Sequence, residues 1–588
     1  MTPEIHPIFL PNKGQVLDVP EEFLLDSLSP YSRNMEYFNE LLQSRLGLDE
    51  FDPEALSGEV LTQFRFEKAN NDTFNLFFTP KDIYSYDFSN SRYDFLNRTY
   101  TTGTIAISTT TVTGTGTTWS TNVAAGDYIK VGSGSIHTGS TWYQIASVDS
   151  NTQLTLSTSA GTVGAGSAYV IRKIFTGSNT NFWSVTKFTD SSLGDIVVAT
   201  NGVDTPVYWT GSSQVVSVTG LPSTMKARYI ASYKDRIIYA WTVEGGSNQP
   251  ERVRASDVAN VNSYTTTLFE DLIDDGSGIT GMITFGDKLI IPKNKVFYEG
   301  RPVDGNQVFD YDLIAGPSGC KSNRSLVKDK EWLYYYGYDK KFHRWNSVTD
   351  QIISEEFFPE TNNFDPALEI YILGGNFYHK NQIRWFCPYS STDYNNYIFV
   401  FDYKTETGQV WDCSKEQALL SIGFYLLQSD LYLDDATWGE YYLDEQSGYW
   451  DNVEYLSSSP VFIYGGSDGV VRKCDTGSLD DGVAFTRTAK FKRLNFKRPH
   501  QKKRLYKQQW WLESEAAGNV SISHYVDDAI TAHPTSKTIS LINANRDIIK
   551  ETITLNIKGE SLQPQISATN FFALIGFLNI VLPKGKAY

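Results

Sequence analysis

The stretch Lys234-Asp-Arg-Ile-Ile-Tyr-Ala-Trp241, followed by Arg252-Val-Arg-Ala-Ser256, decides the fold. It reads as a tight turn, an apolar strand, a hairpin and a second strand. The same grammar recurs. Gly194-Asp-Ile-Val-Val-Ala-Thr200 precedes Thr205-Pro-Val-Tyr-Trp209, and Gly286-Asp-Lys-Leu-Ile-Ile291 precedes Lys295-Val-Phe-Tyr298. Lys328-Asp-Lys-Glu-Trp-Leu-Tyr-Tyr-Tyr336 precedes Lys341-Phe-His-Arg-Trp345, and Lys380-Asn-Gln-Ile-Arg-Trp-Phe386 precedes Tyr397-Ile-Phe-Val-Phe-Asp402. Pro460-Val-Phe-Ile-Tyr464 precedes Gly469-Val-Val-Arg-Lys473, and an earlier copy stands at Thr73–Phe78 with Asp82–Tyr86. The copies return at intervals of roughly 40 to 75 residues, the period of a four-stranded propeller blade. Six or seven blades are expected. A set of separate sandwiches is the rival all-β reading, but it gives no such repeated pairing.

Outside the repeats the composition shifts twice. From Thr101 to Ser120, 15 of 20 residues are Ser, Thr or Gly, and no charge occurs from Thr99 to Gly126. Ordered signals follow at once: Gly114-Thr-Gly-Thr-Thr-Trp119, Gly126-Asp-Tyr-Ile-Lys130, Trp142–Val148, Leu154-Thr-Leu156 and Ala168-Tyr-Val-Ile171. This reads as an inserted β unit of five or six strands rather than a linker. Past residue 480, alternating strands at 508–512, 519–525, 552–557 and 570–582 read as a β-sandwich. In the first 60 residues, Glu36–Leu48 has apolar spacing compatible with one short helix. The expected division is 1–99 (N-terminal segment and first propeller strands), 100–173 (inserted small β domain), 174–482 (propeller) and 483–588 (C-terminal sandwich).

Composition agrees with an all-β globular chain. Of 588 residues, 40% are hydrophobic and 14% aromatic, ample for a buried core. The formal charge is −17, the wrong sign for a whole-surface nucleic-acid binder. Cys320, Cys387, Cys413 and Cys474 lie far apart, with no CxxC pair, and read as reduced, mostly buried thiols of a protein folded in a cytoplasm. No signal-peptide pattern is present at the start, and the 12 residues Phe571–Leu582 are too few to cross a bilayer as a helix. The seven His never stand at HxH or HExxH spacing, and there is no GxSxG, phosphate-loop or sialidase-type Asp-box pattern. Acidic pairs such as Asp274-Asp275 and Asp480-Asp481 lack calcium-loop spacing. No catalytic, cofactor or metal residue is therefore nominated, and no enzyme activity is expected.

Two surface features stand out. The stretch 430–455 mixes aromatics and acids without a base, and Asp434, Asp435, Trp438, Tyr441, Tyr442 and Trp450 form a candidate docking loop. Between Ala484 and Lys507 there are ten Lys or Arg and no acid. From this run Lys497, Arg498, Lys502, Lys503, Arg504 and Lys507 are candidate subunit-interface residues. Nucleic-acid contact and a solvated face are the competing readings of the run. Reversing Lys502, Lys503 and Arg504 to Glu is expected to spare the propeller and weaken assembly.

The order of an early strand-rich segment, a Gly-Thr-Gly-Thr…Trp β insertion, a propeller and a C-terminal sandwich resembles the tail nozzle or hub proteins of short-tailed bacteriophages. These are the tubular nozzle proteins of T7-like phages and the packaged-DNA stabilisation hubs of P22-like phages. Gly114–Ile171 is similar to a small β module of phage tail proteins, and Asn570–Gly585 resembles the last strand pair of such hubs. The resemblance implies a structural, non-enzymatic role in the virion tail, with the chain made in the host cytoplasm. It implies a homohexamer below the portal–adaptor complex, its propellers splayed outward and its sandwiches forming a tube that retains double-stranded DNA and conducts it at ejection. Tail fibres or spikes are further implied partners. The alternatives are a glycan-binding or glycan-cleaving tail propeller, which needs a carboxylate pair in an aromatic-lined cleft, and a host-side propeller scaffold.

Overall fold

The structure is a computed structural model. It describes all residues except 1–3, 9–13, 17–18, 26, 39–40, 274–275, 304–307, 356–360, 362–363, 390–394, 413–417, 427–459, 498–499, 514, 516, 543–547 and 584–588. Among the described residues, seven four-stranded antiparallel sheets follow one another along the chain. The first blade is Thr62–Glu67, Thr73–Phe78, Ile83–Asp87 and Arg92–Phe95. Blades two to six fill 184–217, 226–271, 283–314, 327–352 and 373–412 in strand order. The seventh contains Leu419–Leu426, Pro460–Gly466 and Val471–Thr476, and takes its fourth strand, Gly47–Glu50, from the other end of the chain.

The seven hydrophobic cores between blades show that the ring closes. One core joins each neighbouring pair of blades. The closing core packs Val60, Phe77 and Tyr84 of the first blade against Ile463 and Val471 of the last. Beside it, Gln63 Nε2 donates to Ser421 Oγ at 3.1 Å. A blade is thus covered on both faces, and its middle strands are buried along their length rather than on alternate residues. Leu333–Tyr336 and Gln382–Cys387 are buried at every residue.

The repeated motif is the middle of a blade, not its inner edge. Lys234 and Asp235, at φ 48° and 55°, make the two-residue turn between the first strand, Lys226–Tyr233, and the second, Arg236–Glu244. That left-handed pair gives the hairpin the twist its strands require. The two strands read from sequence are accordingly the second and third of each blade. The innermost strands face the axial channel, carry a weaker pattern and escape notice.

The insertion is an eight-stranded unit, larger than the five or six strands expected, and its first and last strands pair as Thr99↔Arg172 and Tyr100↔Ile171. Its core surrounds Trp119, whose indole Nε1 donates to Tyr169 Oη at 3.1 Å. Gly114 of the Gly-Thr-Gly motif is required by its close neighbours: a Cβ there would meet Thr117 Oγ1, and would stand 2.7 Å from the Trp119 ring. Arg172 ties the unit to the first blade. It pairs with buried Asp82 at 3.2 Å and lies 3.7 Å from the Phe95 ring.

The sandwich corrects two expectations. Glu36–Leu48 holds no helix. Met35–Phe38 and Leu41–Ser44 are paired strands, and Gly47 opens the strand that closes the propeller. Met35, Tyr37 and Leu42 point into the sandwich core, so tertiary partners override the local spacing. Nor is the sandwich made from 483–588 alone. Its five-stranded sheet includes Tyr31–Arg33. Its six-stranded sheet includes Glu4–Ile8, Met35–Phe38 and Leu41–Ser44 beside Lys503–Glu513, Ile548–Gly559 and Ala573–Pro583. Trp510 stacks on Phe577 at 4.3 Å in the common core.

Among the described residues, no helix is long and apolar enough to cross a membrane. Cys320, Cys387 and Cys474 are buried free thiols, and Cys413 lies outside the described residues.

Candidate functional site

The candidate interface residues separate on inspection. Lys497 is exposed on a turn, and Lys502 is exposed just before the Lys503–Glu513 strand. Lys503 is not a surface cation. It is 1% exposed and donates through Nζ to the Glu560 carbonyl at 2.6 Å. Strand alternation explains this: Lys503 shares the inward face with Leu505, whereas Arg504 points outward and donates to Asn556 Oδ1. Lys507 is half-buried beside the Tyr506 ring, 5.2 Å from its centroid. Arg498 and the whole candidate loop, with Asp434, Asp435, Trp438, Tyr441, Tyr442 and Trp450, lie outside the described residues.

The charge is divided between the two bodies. Residues 1–46 and 483–588, which hold the sandwich strands, carry 19 Lys or Arg against 14 Asp or Glu, while residues 47–482, which hold the blades and the insertion, carry 32 against 54. A strongly acidic propeller part and a mildly basic sandwich part sit in one chain.

Buried ion pairs hold the two bodies together. Arg45 meets Asp480 at 2.5 Å with both side chains about 95% buried or more. Glu36 accepts from Lys380 at 3.1 Å and from Gln382 at 3.0 Å. Next to this contact, within the propeller, Arg384 of the sixth blade pairs with Asp475 of the seventh at 2.9 Å. Burial opposes the charge on Asp475, but Arg384 and Lys380 hold its carboxyl well below the ordinary range. Trp411 Nε1 donates to the Met35 carbonyl at 2.8 Å. No sequence signal marked Arg45–Asp480 or Glu36–Lys380 as pairs, because the partners lie hundreds of positions apart.

The propeller axis is blocked at one end. Leu61, Phe182, Arg324 and Tyr371 each stand just before the inner strand of a different blade. The Arg324 guanidinium lies 4.1 Å from the Phe182 ring and donates to the Leu61 carbonyl at 3.2 Å, and Phe182 meets Tyr371 edge-on at 5.3 Å. Burial lowers the Arg324 pKa to about 9. At the other end a cavity of about 640 Å³ is lined by Arg65, Glu67, Lys68, Lys187 and Phe424. Its charges are engaged with one another: Arg65 holds Glu67 at 2.7 Å, and Lys187 holds Asp195 at 3.1 Å.

One cluster has the outline of a hydrolytic triad. Ser318 Oγ is 3.4 Å from His343 Nε2, and His343 Nδ1 is 2.9 Å from Asp350. A second carboxylate, Asp339, occupies Nε2 at 2.9 Å. Burial disfavours the charged ring, yet hydrogen bonds to Asp339 and Asp350 and their charges prevail, and the pKa rises to about 9. Such an imidazole is already protonated at neutral pH and does not take a proton from Ser318. Stacked on Tyr335 at 5.0 Å, it locks the fifth blade. Among the described residues no group of His, Cys, Asp and Glu has the arrangement of a metal site.

No family model matches the chain, and no curated protein matches it. Solved structures that resemble it include the computationally designed Ika8 protein, at 12% identity, TM-score 0.34, and 73% and 99% coverage of the two chains. The Pan2 WD40 domain of Neurospora crassa matches at 8% identity, TM-score 0.26, and 73% and 94% coverage. An exo-β-1,3-galactanase of Phanerochaete chrysosporium matches at 8% identity, TM-score 0.24, and 92% and 100% coverage. Likeness at this level carries no argument about function, and the propeller assignment rests on the seven sheets and the seven cores between them.

Proposed function

We propose that this chain is a non-enzymatic structural subunit of the tail of a short-tailed bacteriophage, a nozzle or hub protein that assembles as a ring below the portal and adaptor. The observation that carries the reading is the construction of the subunit. A sandwich built from both ends of the chain is clamped to a closed propeller by buried ion pairs, and the two bodies differ in the sign of their charge. Such a unit transmits force without hinging and offers complementary surfaces for head-to-tail contact. The blocked axis adds a constraint: DNA passes between the copies of the ring, not through a propeller.

Quantitative mass spectrometry of purified particles of the encoding phage tests the proposal. About six copies per portal vertex is the expected result for a ring of this symmetry class. A count near zero, or one matching trimeric spikes, overturns it. Release of reducing ends from host surface polysaccharide by the purified protein would establish the glycan-cleaving alternative instead.

A further inference from the structure

We infer that the outer face of the six-stranded sandwich sheet is a docking surface for a second copy of this chain, and that it receives the acidic propeller part of that copy. The inference rests on the ring assembly proposed above and specifies which surface makes the contact.

The strand register arranges this face in columns. On Ala573–Pro583 the outward residues are Leu578, Ile580 and Leu582, continued sideways by Ile5, which pairs with Ile580 and is 63% exposed. Beyond Gly576, which pairs with Trp511, a Cβ would meet nothing within 4 Å, so the face is open there. The next strand presents Arg504, Lys507, Gln509 and Trp511 opposite these residues. The edge strand Ile548–Gly559 adds Lys558 opposite Arg504 and Lys550 opposite Trp511. An apolar column thus lies beside a cationic one.

Two features argue that something covers it. Arg504 and Lys558 are like charges directly across a strand pair, an arrangement that destabilises a free sheet. A carboxylate brought by a partner offsets that repulsion. The apolar column is also aligned with Ile5 rather than scattered. The mixture selects the partner class. Duplex DNA answers the cations but not Leu578, Ile580 and Leu582, whereas a protein surface answers both. The partner must be acidic, and residues 47–482 of this chain, with 54 acids against 32 bases, are. The exposed cations Lys550 and Lys558 on an edge strand also discourage sheet-to-sheet addition, which leaves the face as the contact.

The test is sedimentation of the full-length protein at about 0.05 M and about 0.5 M salt, conditions that bracket strong and weak screening. Self-association is expected at low salt and is expected to weaken at high salt. The triple variant K507E/K550E/K558E should weaken it by about tenfold or more, and K507Q/K550Q/K558Q by less, with thermal unfolding unchanged in both. Ile580→Ser should weaken the association remaining at high salt. Unchanged association of both triple variants overturns this surface while leaving ring assembly intact. A wild-type protein that stays monomeric at low salt also overturns it, and the copy count in particles then decides separately whether the assembly reading stands. Tight binding of random-sequence duplex DNA, abolished by the same variants in the absence of self-association, overturns it in favour of nucleic acid.

Discussion

The propeller and the sandwich bury similar strands but close in opposite ways. Each blade is a run of neighbouring hairpins, and only one strand of the seventh comes from afar. The sandwich has almost no local logic. Each of its sheets sets strands from residues 4–44 along one side of strands from 487–583. A fold closed by local hairpins writes its period into the sequence, whereas one closed by distant strands writes only isolated alternation. The difference also fixes dependence: Gly47–Glu50 serves the propeller while the strands just before it serve the sandwich, so neither body is complete without the first 50 residues.

The largest expected effect breaks the comparison outright. A fragment of residues 483–588 should be unfolded by circular dichroism and NMR, because it lacks Met35, Tyr37 and Leu42 of its own core. Adding a peptide of residues 1–50 should restore strand signal. A fragment that folds alone would show that the two bodies are independent after all. Next in size, Asp480→Ala strands Arg45 at the junction and should cost about 3–5 kcal/mol in denaturant unfolding. Lys503→Glu, which buries a carboxylate beside the Glu560 carbonyl, should cost about 3 kcal/mol or more. The triple reversal of Lys502, Lys503 and Arg504 therefore tests sandwich folding as much as assembly, and Lys550 and Lys558, exposed on the sheet face, are the cleaner probe.

The third test stays within the propeller. The His343 pKa is raised from 6.5 to about 9, so its stabilisation is fully present below about pH 6.5 and is lost as pH rises through about 9. The shift corresponds to stability on the order of 3 kcal/mol. Unfolding measured from pH 6 to pH 10 should show this loss, and His343→Gln should flatten it. The smallest effect sharpens the contrast within one strand end: Lys502→Glu, one residue from Lys503 but exposed, should change stability by less than about 0.5 kcal/mol.

What could be read from the sequence follows the same division. Lys234–Trp241 and its copies revealed the blades because a strand covered on both faces is a mostly apolar run without the alternation of a half-exposed one. The Gly114 to Trp119 motif marked the insertion because ring and backbone must touch. Glu36–Leu48 misled because its apolar spacing suits a helix, and only the distant Trp510 core and the Val471–Thr476 strand select extended chain. The basic run was visible as composition, but which of its members face outward depends on register, and Lys503 shows that adjacent lysines can differ completely. The Arg45–Asp480 and Glu36–Lys380 pairs carry no local signature at all.

The borrowed fourth strand of the seventh blade also sets a clock. During synthesis, Gly47–Glu50 must wait for Val471–Thr476, about 420 residues later, before it has a partner. At roughly 5–20 residues per second this delay is roughly 20 to 80 seconds. Throughout it, the preceding hairpin holds Tyr37 and Leu42 without their core, and six blades form an open arc with apolar faces at both ends. A ribosome that stops before residue 471 releases a chain that cannot seal. Sealing therefore acts as a proofreading step, and only chains that have passed it have a closed ring of blades.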